Sequence, residues 1–195
     1  SKKVVYGIDS VKFLYEEVLI PLNRHCYNGI VALLKIEQPD LIIGDHQLFA
    51  APVAAKTLGI PYATSVTAPA AIKIMNELPK VHEWEVNQII DLQKELGFQE
   101  ERSLATSDLL TLVLTSGYFF GEMEDLPSQY QFTGPVLTER RVSCEFDWER
   151  LKSKDNKKIL VSIGTTFDHD HKKAFFQKVI DTFKDEDLTV VVVSD

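Results

Sequence analysis

Apolar side chains recur at helical spacing along the first part of the chain and predict a long helix over residues 10–37. Pro21 lies inside this stretch, and a proline within a helix kinks or restarts it. A second amphipathic helix is predicted over 81–96, where Gly97 follows as a stop signal. The segment 67–80 contains two prolines and no clear period, so it is predicted to be irregular.

Short continuous apolar runs alternate with these helices and predict strands buried on both faces, which is typical of parallel sheets. The predicted strands cover residues 41–44, 62–66, 109–114, 159–163 and 188–193. An alanine-rich helix over 49–58 joins the first two, and a helix over 171–184 joins the last two. The predicted fold class is therefore α/β, a Rossmann-type parallel sheet with flanking helices. Neither end of the chain completes such a sheet, so we expect the fold to be truncated at both ends.

A charged segment without an apolar stripe divides the chain. Residues 138–156 are predicted to form a linker with a short helix near 147–151. Residues 1–137 then make one Rossmann-like domain, and residues 157–195 begin a second one with a strand, a glycine turn, a helix and a strand.

Composition excludes several classes of function. The formal net charge is -8, which disfavours binding to nucleic acid or to anionic membranes. Hydrophobic residues make up 45% of the chain, but no apolar run is long enough to span a bilayer. Neither of the two cysteines belongs to a metal or redox motif, which favours a cytoplasmic protein.

Asp45 is the first candidate for chemistry, because it follows the strand over 41–44. Ligands of open parallel sheets bind outside the carboxyl ends of the strands. The structural alternative is that Asp45 caps the helix over 49–58, since aspartate favours such positions. His46 follows and could contact a ligand or act as a base, although adjacent residues of an extended chain point in opposite directions.

A second candidate lies after the strand over 159–163, where Gly164, Thr165 and Thr166 form a turn. Glycine permits close approach of the backbone to a ligand, and a plain turn is the alternative. The following aspartates, Asp168 and Asp170, have the spacing of a metal site. The same spacing recurs by chance in so acidic a chain, so we favour a polar start of a helix and predict no metal.

Three segments together resemble family 1 glycosyltransferases of the GT-B fold, in particular the bacterial macrolide- and carotenoid-type branch. They are PDLIIGD…AAKTLGIP at 39–61, FTGPV at 132–136 and KKILVSIGTTFD at 157–168. The resemblance covers most of an N-terminal acceptor domain and the start of a C-terminal donor domain.

This resemblance implies an inverting transfer of a hexose from a nucleotide sugar, expected to be a UDP-sugar, to a hydroxyl of a small lipophilic acceptor. It implies that Asp45 orients a catalytic histidine that this chain lacks, so that these residues alone would be inactive. The resemblance implies that the turn formed by Gly164, Thr165 and Thr166 binds the donor. It implies that the acceptor is bound by His46, Thr67, Met75 and Trp84. The nucleotide sugar is a co-substrate, and no other cofactor is expected.

Two alternatives remain open at this point. The chain could belong to a nucleotide-sugar epimerase related to the GT-B enzymes, which would act on the sugar nucleotide without an acceptor. It could also belong to a Rossmann-like module that binds a small molecule or a protein without catalysis. The oligomeric state is not indicated by any pattern in the sequence.

Overall fold

A computed structural model describes residues 7–121, 126–137, 145–164 and 169–193, with the side chains of residues 169 and 170 left out. The chain divides into two compact units, Ser1–Thr138 and Glu139–Asp195. The α/β class predicted from the apolar pattern is confirmed, because both units are built from parallel strands with helices between them.

The first unit contains a four-stranded parallel sheet. Its strands, in spatial order, are β1 (Ile42–Asp45), β2 (Tyr62–Val66), β3 (Thr111–Val113) and β4 (Tyr130–Phe132). Asp45 at the end of β1 is paired with Ser65, and Val66 at the end of β2 is paired with Val113. All four carboxyl ends therefore lie along one edge of the sheet, where a parallel sheet binds its ligands.

The helices of the first unit follow the predicted pattern in most places. They are α1 (Ile8–Phe13), α2 (Ile20–Glu37), α3 (Ala50–Leu58), α4 (Ala70–Glu77), α5 (Pro79–Glu95) and α6 (Gly117–Phe120). A π-helical segment, Leu14–Leu19, joins α1 to α2 just before Pro21. The helix thus changes its hydrogen-bond register beside the proline, which has no N–H to donate.

The prediction that residues 67–80 are irregular is wrong. They contain α4, and the two prolines stand at helix starts: Pro69 directly precedes α4, and Pro79 is the first residue of α5. A proline at a helix start costs no hydrogen bond, because the first N–H groups of a helix have no partner within it. Both prolines therefore act as helix start signals and not as helix breakers.

The core of the first unit consists of two apolar clusters. The first comprises the buried residues Leu19, Phe49, Ile89 and Leu92, and the second comprises Val66, Ile72, Val113 and Phe120. Helix α3 is deeply buried, since its first six residues, 50–55, are all shielded from solvent. Strand β1 packs near this helix at Gly44, where an added Cβ atom would lie 3.4 Å from the Cβ of Ala51, an ordinary van der Waals distance.

The second unit contains helix α7 (Trp148–Ser153), strand β5 (Lys157–Val161), helix α8 (His169–Phe183) and strand β6 (Leu188–Val192). The two strands pair in parallel, with Lys157 opposite Leu188. Helix α7 confirms the short helix expected near residue 147, and the Asp147 side chain accepts a hydrogen bond from the Arg150 amide at its start (2.8 Å). In the described part of the chain, no helix has the length and hydropathy needed to cross a membrane.

Candidate functional site

The Asp45 carboxylate lies at the carboxyl end of β1, where two donors hold it. Its Oδ1 atom accepts a hydrogen bond from the Gln47 amide (2.9 Å), and its Oδ2 atom accepts one from the Thr67 hydroxyl (2.7 Å). The side chain is 37% exposed. The carboxylate is therefore fixed in orientation yet open on one side. It remains accessible to a ligand or to another side chain.

Asp45 does not cap helix α3, which was the structural alternative. The amide of Ala50, at the start of that helix, donates to Oδ1 of Asn23 (2.9 Å). The Nδ2 atom of Asn23 donates to the carbonyls of Leu19 (2.9 Å) and Gln47 (2.8 Å). Fully buried Asn23 thus ties α2 to the turn that follows Asp45.

Asn23 is not among the residues predicted from the sequence. The available signal is a polar side chain on an inward position of a predicted helix. Asn23 lies within the helical stretch over 10–37 and is completely shielded from solvent. A buried amide is costly unless its donors and acceptor are satisfied, so such a residue on an inward helical position marks a tertiary hydrogen bond. Which backbone groups would satisfy it could not be read from the sequence.

An extended chain would point His46 away from Asp45, and the structure does not show this arrangement. The chain turns directly after β1, and the His46 amide still donates to the Ser65 carbonyl (2.9 Å). The turn brings the Nδ1 atom of His46 to 3.4 Å from Oδ1 of Asp45. Burial lowers the pKa of His46, while the nearby Asp45 charge opposes that shift. The neutral imidazole is therefore favoured.

A cavity of about 220 Å³ lies in the first unit, between its two apolar clusters. The imidazole of His46 forms part of its wall. Most of the wall is apolar and is contributed by Phe49, Val66, Ile72, Met75, Val86 and Ile89. A concave, mostly apolar space with a few polar groups is the usual form of a small-molecule site.

Three further titratable side chains with perturbed pKa values line this cavity: Tyr15, His82 and Glu85. Burial raises the pKa of Glu85 and lowers the pKa of His82, in each case because burial disfavours the charged form. Burial and the Glu85 carboxylate together raise the pKa of the Tyr15 hydroxyl. Tyr15 comes from the π-helical segment, and such segments are frequent at functional sites.

The predicted site residues are distributed unevenly. Asp45, His46 and Thr67 lie together at the end of β1, and His46 shares the cavity wall with Met75. Trp84 lines a different groove, beside Val81, and packs edge-on against Tyr15 with ring centroids 5.6 Å apart.

In the second unit, Gly164 has a φ of 70°, a left-handed conformation that favours glycine. Thr165 and Thr166 lie outside the described residues, as does Asp168. Within the described ranges, no group of three or more His, Cys, Asp or Glu side chains could hold a metal ion.

Sequence comparisons find relatives in Bacillus subtilis (strain 168), whereas no family model matches. An uncharacterized UDP-glucosyltransferase, YojK, is 31% identical over 188 residues, which cover 88% of this chain and 44% of the relative. The NDP-glycosyltransferase YjiC is 28% identical over 166 residues, which cover 82% of this chain and 41% of the relative. The chain thus spans less than half the length of these two curated relatives.

Structural comparison identifies the fold. The glycotransferase of kitacinnamycin matches 98% of this chain and 51% of its own, with a TM-score of 0.65 at 16% identity. The *Streptomyces* sp. SF2575 glycosyltransferase SsfS6 matches 100% of this chain and 48% of its own, with a TM-score of 0.62 at 15% identity. The chain is thus similar in sequence to UDP-glycosyltransferases, and its fold is that of the GT-B glycosyltransferases.

Proposed function

We propose that the natural protein containing this chain is an inverting glycosyltransferase that moves a hexose from a UDP-sugar to a hydroxyl of a small lipophilic acceptor. The observation that carries the proposal is the Asp45 carboxylate, which is fixed at the edge of the sheet close to the wall of an apolar cavity. The names of the relatives support a nucleotide-sugar donor, since one is a UDP-glucosyltransferase and another an NDP-glycosyltransferase.

The chemistry requires a base, because an alcohol must lose its proton as it attacks the sugar. We assign Asp45 the role of orienting a catalytic histidine that this chain does not supply. A carboxylate beside an imidazole fixes its tautomer and stabilises the imidazolium that forms. Thr67 supports this role by donating to Oδ2 of Asp45, which restricts the rotation of the carboxylate.

The second unit would contribute to donor binding. We assign the turn formed by Gly164, Thr165 and Thr166 to the diphosphate of the donor. The left-handed backbone at Gly164, just after β5, supports this assignment, because it lets the chain turn sharply beside a ligand. Threonine hydroxyls would donate hydrogen bonds to phosphate oxygens.

The first unit would bind the acceptor. His46 and Met75 are assigned to the acceptor because they line the cavity, and Thr67 because it lies beside Asp45. Trp84 would act indirectly, by packing against the cavity residue Tyr15. The predominance of apolar wall residues supports a lipophilic acceptor.

The test is an assay of the longest natural form of the protein that contains these residues, with UDP-glucose and related donors and a set of phenolic acceptors. Replacing Asp45 by asparagine should lower transfer about 100-fold or more, since a positioned carboxylate supports the base. The matched control is Asp40→Asn, which changes an exposed carboxylate ahead of β1 and should leave transfer unchanged.

The products decide between the proposal and its alternatives. A glycosylated acceptor with inverted anomeric configuration supports the proposal, and unchanged transfer by Asp45→Asn would refute the role of that residue. An altered sugar nucleotide formed without acceptor would identify an epimerase. Ligand binding without turnover of any donor would instead identify a binding module.

A further inference from the structure

The turn between β1 and α3, which begins at Asp45, is held in place by one residue of helix α2. Asn23 is completely shielded from solvent. Its Nδ2 atom donates to the Gln47 carbonyl (2.8 Å), and its Oδ1 atom accepts from the Ala50 amide (2.9 Å). Asn23 therefore fixes both the middle and the end of this turn from a distant part of the chain.

The side chain of Asn23 has no freedom to serve as a ligand itself. A third hydrogen bond, from Nδ2 to the Leu19 carbonyl (2.9 Å), holds it against its own helix. The two amide hydrogens and the amide oxygen are thus all engaged within the protein, and the side chain cannot rotate without breaking a bond. Asn23 is built to fix the backbone around it.

The connection from Asn23 to Asp45 passes through Gln47. The Gln47 carbonyl accepts from Asn23, and the Gln47 amide donates to Oδ1 of Asp45 (2.9 Å). A shift of the carbonyl would rotate the backbone of Gln47 and redirect its amide. Thr67, which follows β2, holds only the other oxygen, Oδ2 (2.7 Å). The direction of the carboxylate therefore depends on the position of this turn.

We propose that Asn23 is a positioning residue for glycosyl transfer, because it holds the turn whose Gln47 amide aims the Asp45 carboxylate. The inference rests on the proposed function, which gives Asp45 its role in transfer. Asn23 does not line the cavity beside Asp45. Its loss should therefore lower turnover and leave substrate binding unchanged, since a misplacement of about 1 Å in a reacting arrangement can cost about 100-fold in rate.

The first test is the kinetics of Asn23→Ala in the longest natural form of the protein, at a temperature where the variant is folded. The kcat for transfer should fall about tenfold, less than in Asp45→Asn because the carboxylate remains, and both KM values should stay within twofold. The matched control is Leu34→Ala, which removes a buried side chain from the same helix. It should also lose stability but keep the wild-type kcat per folded molecule.

A double-mutant cycle separates positioning from mere stabilisation. In the Asp45→Asn background, Asn23→Ala should lower kcat by less than a further twofold, because its effect acts through the lost carboxylate. The same tenfold loss in both backgrounds, or an unchanged kcat in Asn23→Ala, would overturn the proposal. Asn23→Leu repeats the cycle if the alanine variant does not fold, since leucine has nearly the same size and makes none of the three hydrogen bonds.

A measurement without turnover distinguishes this proposal from the proposed function. In the ¹⁵N-labelled 195-residue chain, Asn23→Ala should shift the Gln47 amide resonance and speed its hydrogen exchange about tenfold, whereas Leu34→Ala should change neither. An unchanged Gln47 amide in Asn23→Ala, with transfer lowered by Asp45→Asn, would refute the positioning role alone. Wild-type transfer in Asp45→Asn, with the Gln47 response present, would instead refute the proposed role of Asp45 and the inference that depends on it.

Discussion

Two strand–glycine–helix segments of this chain share a sequence pattern but differ in their surroundings. In the first unit, β1 leads through a turn to α3, whose residues 50–55 are all buried. In the second, β5 leads to α8, where Lys172 and Phe176 are the buried residues among the described side chains. Because both segments form the same secondary structure, the local pattern determines the elements. How deeply a helix is enclosed depends on the neighbours that pack against it.

The largest expected effect distinguishes two phenylalanines. Phe49 is 2% exposed, whereas Phe175 in α8 is 41% exposed. Phe49→Ala should lower the stability of the first unit by about 3–5 kcal/mol, because a large buried ring leaves a cavity. Phe175→Ala should cost the second unit only about 1 kcal/mol or less, since the ring is already partly in water. Native-state amide hydrogen exchange in β2 and β5 measures the two units separately, and equal losses would contradict the comparison.

The next effect distinguishes two asparagines. Asn23→Ala should cost about 2–3 kcal/mol, because one amide and two carbonyls that it satisfies would lose their partner in a buried place. Asn156→Ala removes a single side-chain hydrogen bond, from Thr189 (2.9 Å), and should cost less than about 1 kcal/mol. Urea unfolding followed by hydrogen exchange checks both. A small loss at Asn23 would show that water replaces it readily.

The third effect distinguishes two glycines, and here the position in the second unit should lose more stability on substitution. Gly164→Ala should cost about 1 kcal/mol, because alanine is disfavoured at a φ of 70°. Gly44→Ala should change stability by less than about 0.5 kcal/mol, since the new Cβ would meet Ala51 at 3.4 Å, an ordinary contact. Thermal unfolding of both variants tests this. A larger loss at Gly44 would mean that the contact between β1 and α3 tolerates no added atom.

The smallest effect is a pH dependence of the first unit. Burial lowers the pKa of His46 in the folded chain, so the unfolded chain binds the proton first as the pH falls. Stability should therefore decrease as the pH falls below the unfolded value of about 6.5, while Glu85, whose pKa is raised, acts in the opposite sense. The stability difference between wild type and His46→Gln isolates the histidine. This difference should shrink between pH 7.5 and 5.5, and a constant difference would refute the assignment.

The sequence predicted the fold better than the site. Apolar runs predicted every strand except β4, and the helix predicted over 49–58 matches α3, which Gly59 ends with a φ of 69°. The prediction for α4 was wrong because of Pro69 and Pro79, since a proline is compatible both with a break and with a helix start. At the site, the position of Asp45 at the end of β1 was predicted correctly. Its contacts with Gln47 and Thr67 were not foreseen.

By itself, the sequence determined most of the strands and helices and which carboxylate stands at the edge of the sheet. These properties depend on side-chain period and on residues that start or stop an element, both of which are local. Only the tertiary structure decided that His46 turns back toward Asp45 and that its ring lines a cavity between two apolar clusters. The physical reason is that burial and hydrogen-bond satisfaction depend on segments far apart in the chain. Asn23 illustrates this, since it bonds to groups 24 and 27 residues away.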